Sequence, residues 1–287
     1  MFFSDLHKYV FLQHSVLAIV LASIACGIVG GYVVAQRQSY MIGAISHSLL
    51  GGVGLARYLQ VVHGLLFITP IAGASIAAAI ASMLITVLTM KTKARSDAVL
   101  SAVWTMGVAL GVSFISMTPG YAEDLNSYLF GSVLLVSKSD LVFMTILDLL
   151  IVVVSFAFHN RFLAYCFRAE TLELRGLSAT ATALMLNLLI AFTVVLLSQV
   201  VGIVLVLVLL VLPAAIAACY AVHLRNIMLG GGLICLCVSM IGIFISYEHD
   251  LPTGATIIEL IVALFLMVSI INAIRKVFSS KKNNLAQ

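Results

Sequence analysis

Four polar residues, His47, Asp148, Asn187 and Glu259, stand inside long apolar runs. A polar or ionisable side chain at membrane depth is costly unless it has a partner or a task, so chemistry is sought there first. The imidazole of His47, about midway along its run, could ligate a borderline transition metal in its neutral form. It could equally be a hydrogen-bonded packing residue. Asp148 and Glu259 could carry protons or ions, or be paired within a bundle; neither has a second acid or a His one helical turn away. The five cysteines, Cys26, Cys166, Cys219, Cys235 and Cys237, lie in or beside apolar runs, where a thiol packs as a small hydrophobe. Cys235 and Cys237 are two apart, so on a helix they face nearly opposite sides, which opposes a shared metal.

These residues must be positioned by membrane helices. Of 287 residues, 63% are hydrophobic and 9% charged, against roughly 45–50% and 25% in a soluble domain. Apolar runs at 13–35, 40–57, 64–90, 97–117, 139–158, 179–199, 202–222, 227–246 and 255–274 give nine candidate helices, each near the ~20 residues that cross a bilayer. The fold class predicted is all-α, a polytopic transmembrane bundle of eight or nine spans in one domain covering 1–287. Segment 121–136 has an apolar part too short to cross and begins with two acids; it reads as re-entrant on one side. The first run ends its small-residue stretch at Ser23-Ile24-Ala25-Cys26, faintly like a lipoprotein cleavage site, but stays apolar through Ala35. It therefore reads as a retained span.

So little chain lies outside the spans that a nucleotide-hydrolysing or DNA-binding domain, on the order of 100 residues, has no room. No G-x-x-x-x-G-K-[ST] phosphate loop occurs, so any ATP would be hydrolysed by a partner. The excess of 15 Lys and Arg over 11 Asp and Glu, a net +4, records loop topology rather than nucleic-acid binding. Lys91, Lys93 and Arg95, then Arg161, Arg168 and Arg175, then Arg275, Lys276, Lys281 and Lys282 form three basic regions, all expected on the cytoplasmic side. A re-entrant 121–136 allows this and puts the N-terminus outside and the tail 275–287 inside. Arg57, His63, Glu123, Asp124, Glu248, His249 and Asp250 then lie outside. Those acids could attract a cation, or simply keep the loops wet.

Segment 167–177 is short, charged and amphipathic, and Gly176 can close a helix there. Arg168, Glu170, Glu173, Arg175 and Gly176 form a candidate element for receiving force from a soluble motor subunit. Pro213 removes one backbone hydrogen bond inside a span and allows a kink.

Several stretches together resemble one family. Gln36-Arg37-Gln38-Ser39-Tyr40-Met41 and Ala44-Ile45-Ser46-His47-Ser48, then Ser96-Asp97-Ala98, Leu129-Phe130-Gly131 and Glu173-x-x-Gly176-Leu177, occur in order. Val201-Gly202-Ile203-Val204-Leu205-Val206 runs into Leu212-Pro213-Ala214-Ala215-Ile216-Ala217, and Asp250-Leu251-Pro252-Thr253-Gly254 follows. The series, covering about residues 10–275, is similar to the membrane permeases of ATP-binding-cassette importers for zinc, manganese and iron. Where that family has an Asp four residues before the His, this chain has Gly43.

The resemblance implies a permease working as a homodimer in the bacterial cytoplasmic membrane. ATP would be used by ATPase subunits docked at 167–177, and an extracytoplasmic metal-binding protein would deliver cargo to the outer loops. It implies no permanently bound cofactor, a transported divalent metal contacted by His47, a pathway role for Pro213, membrane lipid as surroundings, and no nucleic-acid partner. Two other readings remain open at this stage. One is a permease for a chelated cargo such as a siderophore or cobalamin; the other is an ion-coupled carrier using Asp148 and Glu259.

Overall fold

The computed structural model describes residues 8–65, 67–91, 95–119 and 136–284. Among them the elements are all helical: α1 (Val10–Gln36), α2 (Ser39–His63), α3 (Pro70–Lys91), α4 (Ser96–Ser116), α5 (Lys138–Phe167), α6 (Glu170–Leu174), α7 (Ala179–Val201), α8 (Ile203–Ala218), α9 (Leu224–His249) and α10 (Thr253–Asn284). Eight of these are long and apolar enough to cross a membrane, and α8 is a shorter apolar helix of 16 residues. The ninth predicted run thus becomes a helix of about 24 Å. It stops at Ala218 because the chain turns there before α9.

Helix ends follow local chemistry. Ser137 and Asp140 form a reciprocal cap at the start of α5: the Asp140 N–H donates to Ser137 Oγ at 3.3 Å, and the Ser137 N–H donates to Asp140 Oδ2 at 3.0 Å. The Ser178 hydroxyl oxygen accepts from the Ala181 N–H at 3.2 Å and opens α7. Between α7 and α8 the chain reverses on one buried residue, Gly202, at φ 85 and ψ 159, a conformation essentially confined to glycine.

Side-chain contacts fix the direction of each helix. His14 Nδ1 is 3.1 Å from the Val136 carbonyl, and Tyr32 Oη is 2.9 Å from His159 Nδ1, so α1 and α5 run parallel with their C-terminal ends together. Gly27 packs on Met228 and Gly232, and Gly31 on Met228 and Leu224, which makes α9 antiparallel to α1. Gly107 meets Ser48 and Gly111 meets Leu50, so α4 is parallel to α2, whereas the Gly52–Gly73 contact sets α3 antiparallel to it. Gly242 against Ile257 and Ser246 against Thr253 make α9 and α10 an antiparallel pair.

Among the described residues, Lys91 and Arg95, then Arg161, Arg168 and Arg175, then Arg275 consequently fall at one end of the bundle, joined there by Arg37 and Arg225. Basic residues concentrate on the cytoplasmic side of membrane proteins, which makes this the inner end and starts α1 from the outer side. Ser116 and Val136 both lie at the outer end. The segment expected to be re-entrant, with Glu123, Asp124 and Leu129-Phe130-Gly131, falls within 120–135, outside the described residues.

The core centres on α1, α2 and α7, the most buried of the spans; α4 and α10 are the least buried. Helices in lipid gain no hydrophobic drive from one another, so close backbone approach at small residues takes its place. A Cβ at Gly27 would stand 2.7 Å from the Met228 carbonyl oxygen, and one at Gly111 would stand 2.8 Å from the Leu50 carbonyl carbon. Asn187 adds a polar tie, donating through Nδ2 to Thr86 Oγ1 at 2.7 Å between α7 and α3.

Candidate functional site

His47 sits just over two turns in from the inner end of α2. Its ring stacks on Trp104 of α4, with centroids 4.4 Å apart and planes 18° apart. Its Nδ1 is buried with no hydrogen-bond partner, so the packing alternative, a histidine bonded to a neighbouring helix, is not realised at that nitrogen. One turn earlier, Gly43 faces the same neighbours: a Cβ there would be 2.7 Å from Trp104 Cζ3 and 3.1 Å from Leu207 Cδ1 of α8. The indole and Leu207 thus fill the space that a carboxylate side chain at position 43 would need. The result is an unpartnered ring nitrogen on an aromatic face, one turn from the Gly43–Leu207 contact, where α2, α4 and α8 meet.

Sequence reading did not single out Trp104. The available signal was its spacing with Gly107 and Gly111: positions three and seven residues on fall on the same helical face. Those glycines let α4 approach the α2 backbone, and Trp104 is the chain's only tryptophan. Nothing along the chain shows that this face meets Gly43.

The other polar residues separate. Asp148 is buried on α5 with neither carboxylate oxygen hydrogen-bonded. It lies near Cys26 of α1, which stands beside Cys235 of α9. Cys26 and Cys235 are buried free thiols, while Cys237 is exposed. Glu259 is exposed on α10, which packs on α8 and α9, so the fold does not bring it to Asp148. Asn187 is the tie to Thr86 already described. Among the described residues no group of three His, Cys, Asp or Glu side chains could hold a metal ion. Any ion meeting His47 would draw its remaining ligands from water or from outside this set.

Pro213 is buried within α8. The small residues after it admit neighbours: a Cβ at Gly231 of α9 would be 3.1 Å from Ala214 Cα, and one at Gly230 would be 3.1 Å from Ala217 Cβ.

At the inner end α6 is a single turn lying between α5 and α7. Leu172 is buried and anchors it, while Glu170, Glu173, Leu174 and Arg175 are exposed. Gly176 at φ 71 closes the turn. Its N–H donates to the Glu173 carbonyl at 2.9 Å, and the Leu177 N–H donates to the Leu172 carbonyl at 2.9 Å. Together these bonds form a Schellman closure, so a stiff, charged knob projects from the inner face.

A bundle of apolar membrane helices around a half-buried imidazole, with a rigid charged turn on the cytoplasmic side, defines a polytopic transport permease. Residues 8–272 match the ABC 3 transport family. The chain is 40% identical over 243 residues to a probable metal transport system membrane protein of Chlamydia muridarum, covering 85% of this chain and 83% of that one. It is 29% identical over 287 residues to the manganese transport system membrane protein MntC of Listeria innocua, with all of both chains covered. Its fold superposes on a chain of PsaBC from Streptococcus pneumoniae in complex with Fab with a TM-score of 0.80 at 26% identity, covering 93% of this chain and 94% of the other. The chain belongs to the ABC 3 transport family, membrane permeases of ATP-binding-cassette metal importers. It is a multi-pass protein of the bacterial inner membrane and a transporting subunit, not an enzyme.

Proposed function

We propose that this permease carries a divalent transition metal, zinc, manganese or iron, through a pathway lined by two copies of the chain, with His47 as a transient contact. The observation that carries the reading is the buried, unpartnered Nδ1 of His47 against Trp104. An imidazole nitrogen suits several of these metals, so one such ligand admits a class of ions rather than one. A site with few protein ligands also releases its ion, whereas a closed four-ligand site would hold zinc too tightly to transport it. The manganese permeases among the relatives support the metal class. The dimer follows from family resemblance and finds support in an apolar groove of about 620 Å³ between α2, α3 and α4, whose exposed Leu55, Ile76, Ile80 and Met106 would meet a second copy.

Two ATPase subunits would dock at 167–177, whose exposed Glu170, Glu173 and Leu174 present a projecting contact, and a metal-binding protein would deliver the ion at the outer end. ATP binding and hydrolysis in the partners would then move the helices that meet at His47, α2, α4 and α8, and change the side from which the ion has access. Pro213 on α8 lacks the N–H that would tie it to the preceding turn and so lets this helix deform.

The test is uptake of radioactive zinc, manganese and iron(II) into vesicles carrying the permease with its ATPase and binding protein, with ATP present or omitted. ATP-dependent accumulation, reduced in His47→Ala at an unchanged amount of assembled protein, is the expected result. Accumulation unaffected by His47→Ala would remove the residue from the pathway. Uptake that persists without the ATPase and collapses with an uncoupler would replace the reading with an ion-coupled carrier.

A further inference from the structure

On the inner side a cleft of about 1050 Å³ opens between the end of α5, α6 and the turn from α8 into α9. Five basic or imidazole side chains line it: His159, Arg168, Arg175, His223 and Arg225. No Asp or Glu is among the described residues lining it, and none of the three arginines makes an ion pair with a described carboxylate. Arg225 of α9 stands close to the His159 ring of α5, and no acidic side chain lines the cleft beside them among the described residues.

The faces of α6 divide. Arg168, Thr171 and Arg175 line the cleft, whereas Glu170, Glu173 and Leu174 do not and are exposed. The acidic and apolar side of the knob therefore points elsewhere than the basic one. The cleft also has an apolar mouth: Phe167 is 64% exposed and Val222 91% exposed, and both line it.

Depth decides what meets this combination. Helix α5 has 30 residues and is about 45 Å long, against a hydrocarbon core of roughly 30 Å. Its last nine residues, which carry His159, Asn160, Leu163 and Phe167 to the cleft, extend toward the cytoplasmic headgroup layer. A basic pocket between membrane helices at that level has the chemistry for an anionic phosphodiester with acyl chains beside it. An arginine fork is matched to phosphate oxygens. The helix N-terminus of α9, with Leu224 and Arg225 in its first turn, adds positive potential on the same side.

We propose that this cleft is a binding site for the phosphate of an acidic phospholipid of the inner leaflet, held by Arg168, Arg175 and Arg225, with the acyl chains directed toward the bilayer along Leu163 of α5. Occupancy would brace the ends of α5 and α9 against α6 and supply the missing counter-charge. The proposal does not depend on which metal is carried or on His47.

The full-length permease is purified in mild detergent, and phospholipid retained on it is read by native mass spectrometry after exposure to phosphatidylglycerol, phosphatidylcholine or inorganic phosphate. Wild type is expected to retain phosphatidylglycerol in preference to phosphatidylcholine. Arg225→Gln should weaken retention by roughly fivefold, the size expected for one basic group at an anionic surface, with Arg225→Lys recovering much of it. Arg161 sits over the Phe158 ring at 5.3 Å and does not line the cleft; Arg161→Gln should leave retention unchanged and reports general loss of surface charge or of fold. Equal retention of both lipids, or equal weakening by Arg161→Gln, would overturn the proposal. Competition by inorganic phosphate as strong as that by phosphatidylglycerol would assign the cleft to a free anion instead. Lost co-purification of the ATPase in Arg225→Gln with lipid retention intact would assign it to the ATPase.

Discussion

The α2–α4 contact around His47 and the inner cleft beneath α6 both hold nitrogen bases, and they treat them in opposite ways. At His47 the helices close until Gly107 meets the Ser48 backbone, and the ring is covered by Trp104. At the cleft three arginines stand apart around an open volume with no carboxylate among its described lining. The difference is one of solvent. Within the hydrocarbon an exposed polar group has no water to turn to, so it must be neutral and enclosed. At the interface water and mobile ions screen unpaired charge, and it can remain open until a ligand arrives. The proposed metal contact and the proposed anion site are thus set apart by depth as much as by residue type.

The enclosed region should be the less tolerant of added volume. Gly107→Leu would drive a side chain into the α2 backbone, where a Cβ alone would be 2.5 Å from Ser48 Cα. Destabilisation of about 3 kcal/mol or more is expected, seen as loss of folded protein in thermal unfolding and size exclusion; an equally stable variant would mean that the two helices are not closed.

Gly43→Asp should cost roughly 1–3 kcal/mol for the same reason, since the space is held by the indole. Trp104→Ala leaves a cavity and is destabilising on its own, but in combination the two should cost less than their sum. A double-mutant cycle on the unfolding temperature tests this, and strict additivity would show that Gly43 and Trp104 do not share the space.

His47→Ala is expected to lower metal uptake by about tenfold or more, the scale of a weakened ligand sphere. It also removes the ring stacked on the only tryptophan, so the emission of Trp104 should change in the same protein. Lower uptake with unchanged emission would separate the transport role from the stack.

At the inner end the effects should be smaller and confined to assembly. Glu173→Lys reverses one exposed charge on the knob, where single exposed pairs contribute about 0.2–1 kcal/mol. ATPase co-purification is expected to fall by a few-fold with the permease equally stable. Unchanged co-purification and unchanged stimulation would remove α6 as the docking element.

Much of this arrangement was legible from residue order. Long apolar runs and three basic regions sufficed for the spans and their common inner end, and Gly176 was readable as a helix stop because only a residue tolerant of positive φ closes a helix in this way. His47 was visible as a polar residue at membrane depth. The shortness of α8 was not, because apolar residues continue past Ala218 and hydropathy does not register where a backbone turns. Cys235 invited comparison with Cys237 beside it, yet the cysteine it stands beside in the fold is Cys26, more than two hundred residues away.

By itself the sequence determined that the chain is a helical membrane bundle, where along it the positive charges gather, and that one imidazole lies at membrane depth. These follow from local quantities: the transfer cost of each residue, the length of each run and the side of each positive charge. Only the tertiary structure decided that Trp104 and Leu207 occupy the space beside Gly43, that Asp148 and Glu259 lie apart, and that arginines from α5, α6 and α9 share one cleft. In lipid every helix is apolar on most faces, so hydropathy does not choose which faces meet. Helix partners are selected by the fit of small residues against large ones, a property of two surfaces together that neither segment carries alone.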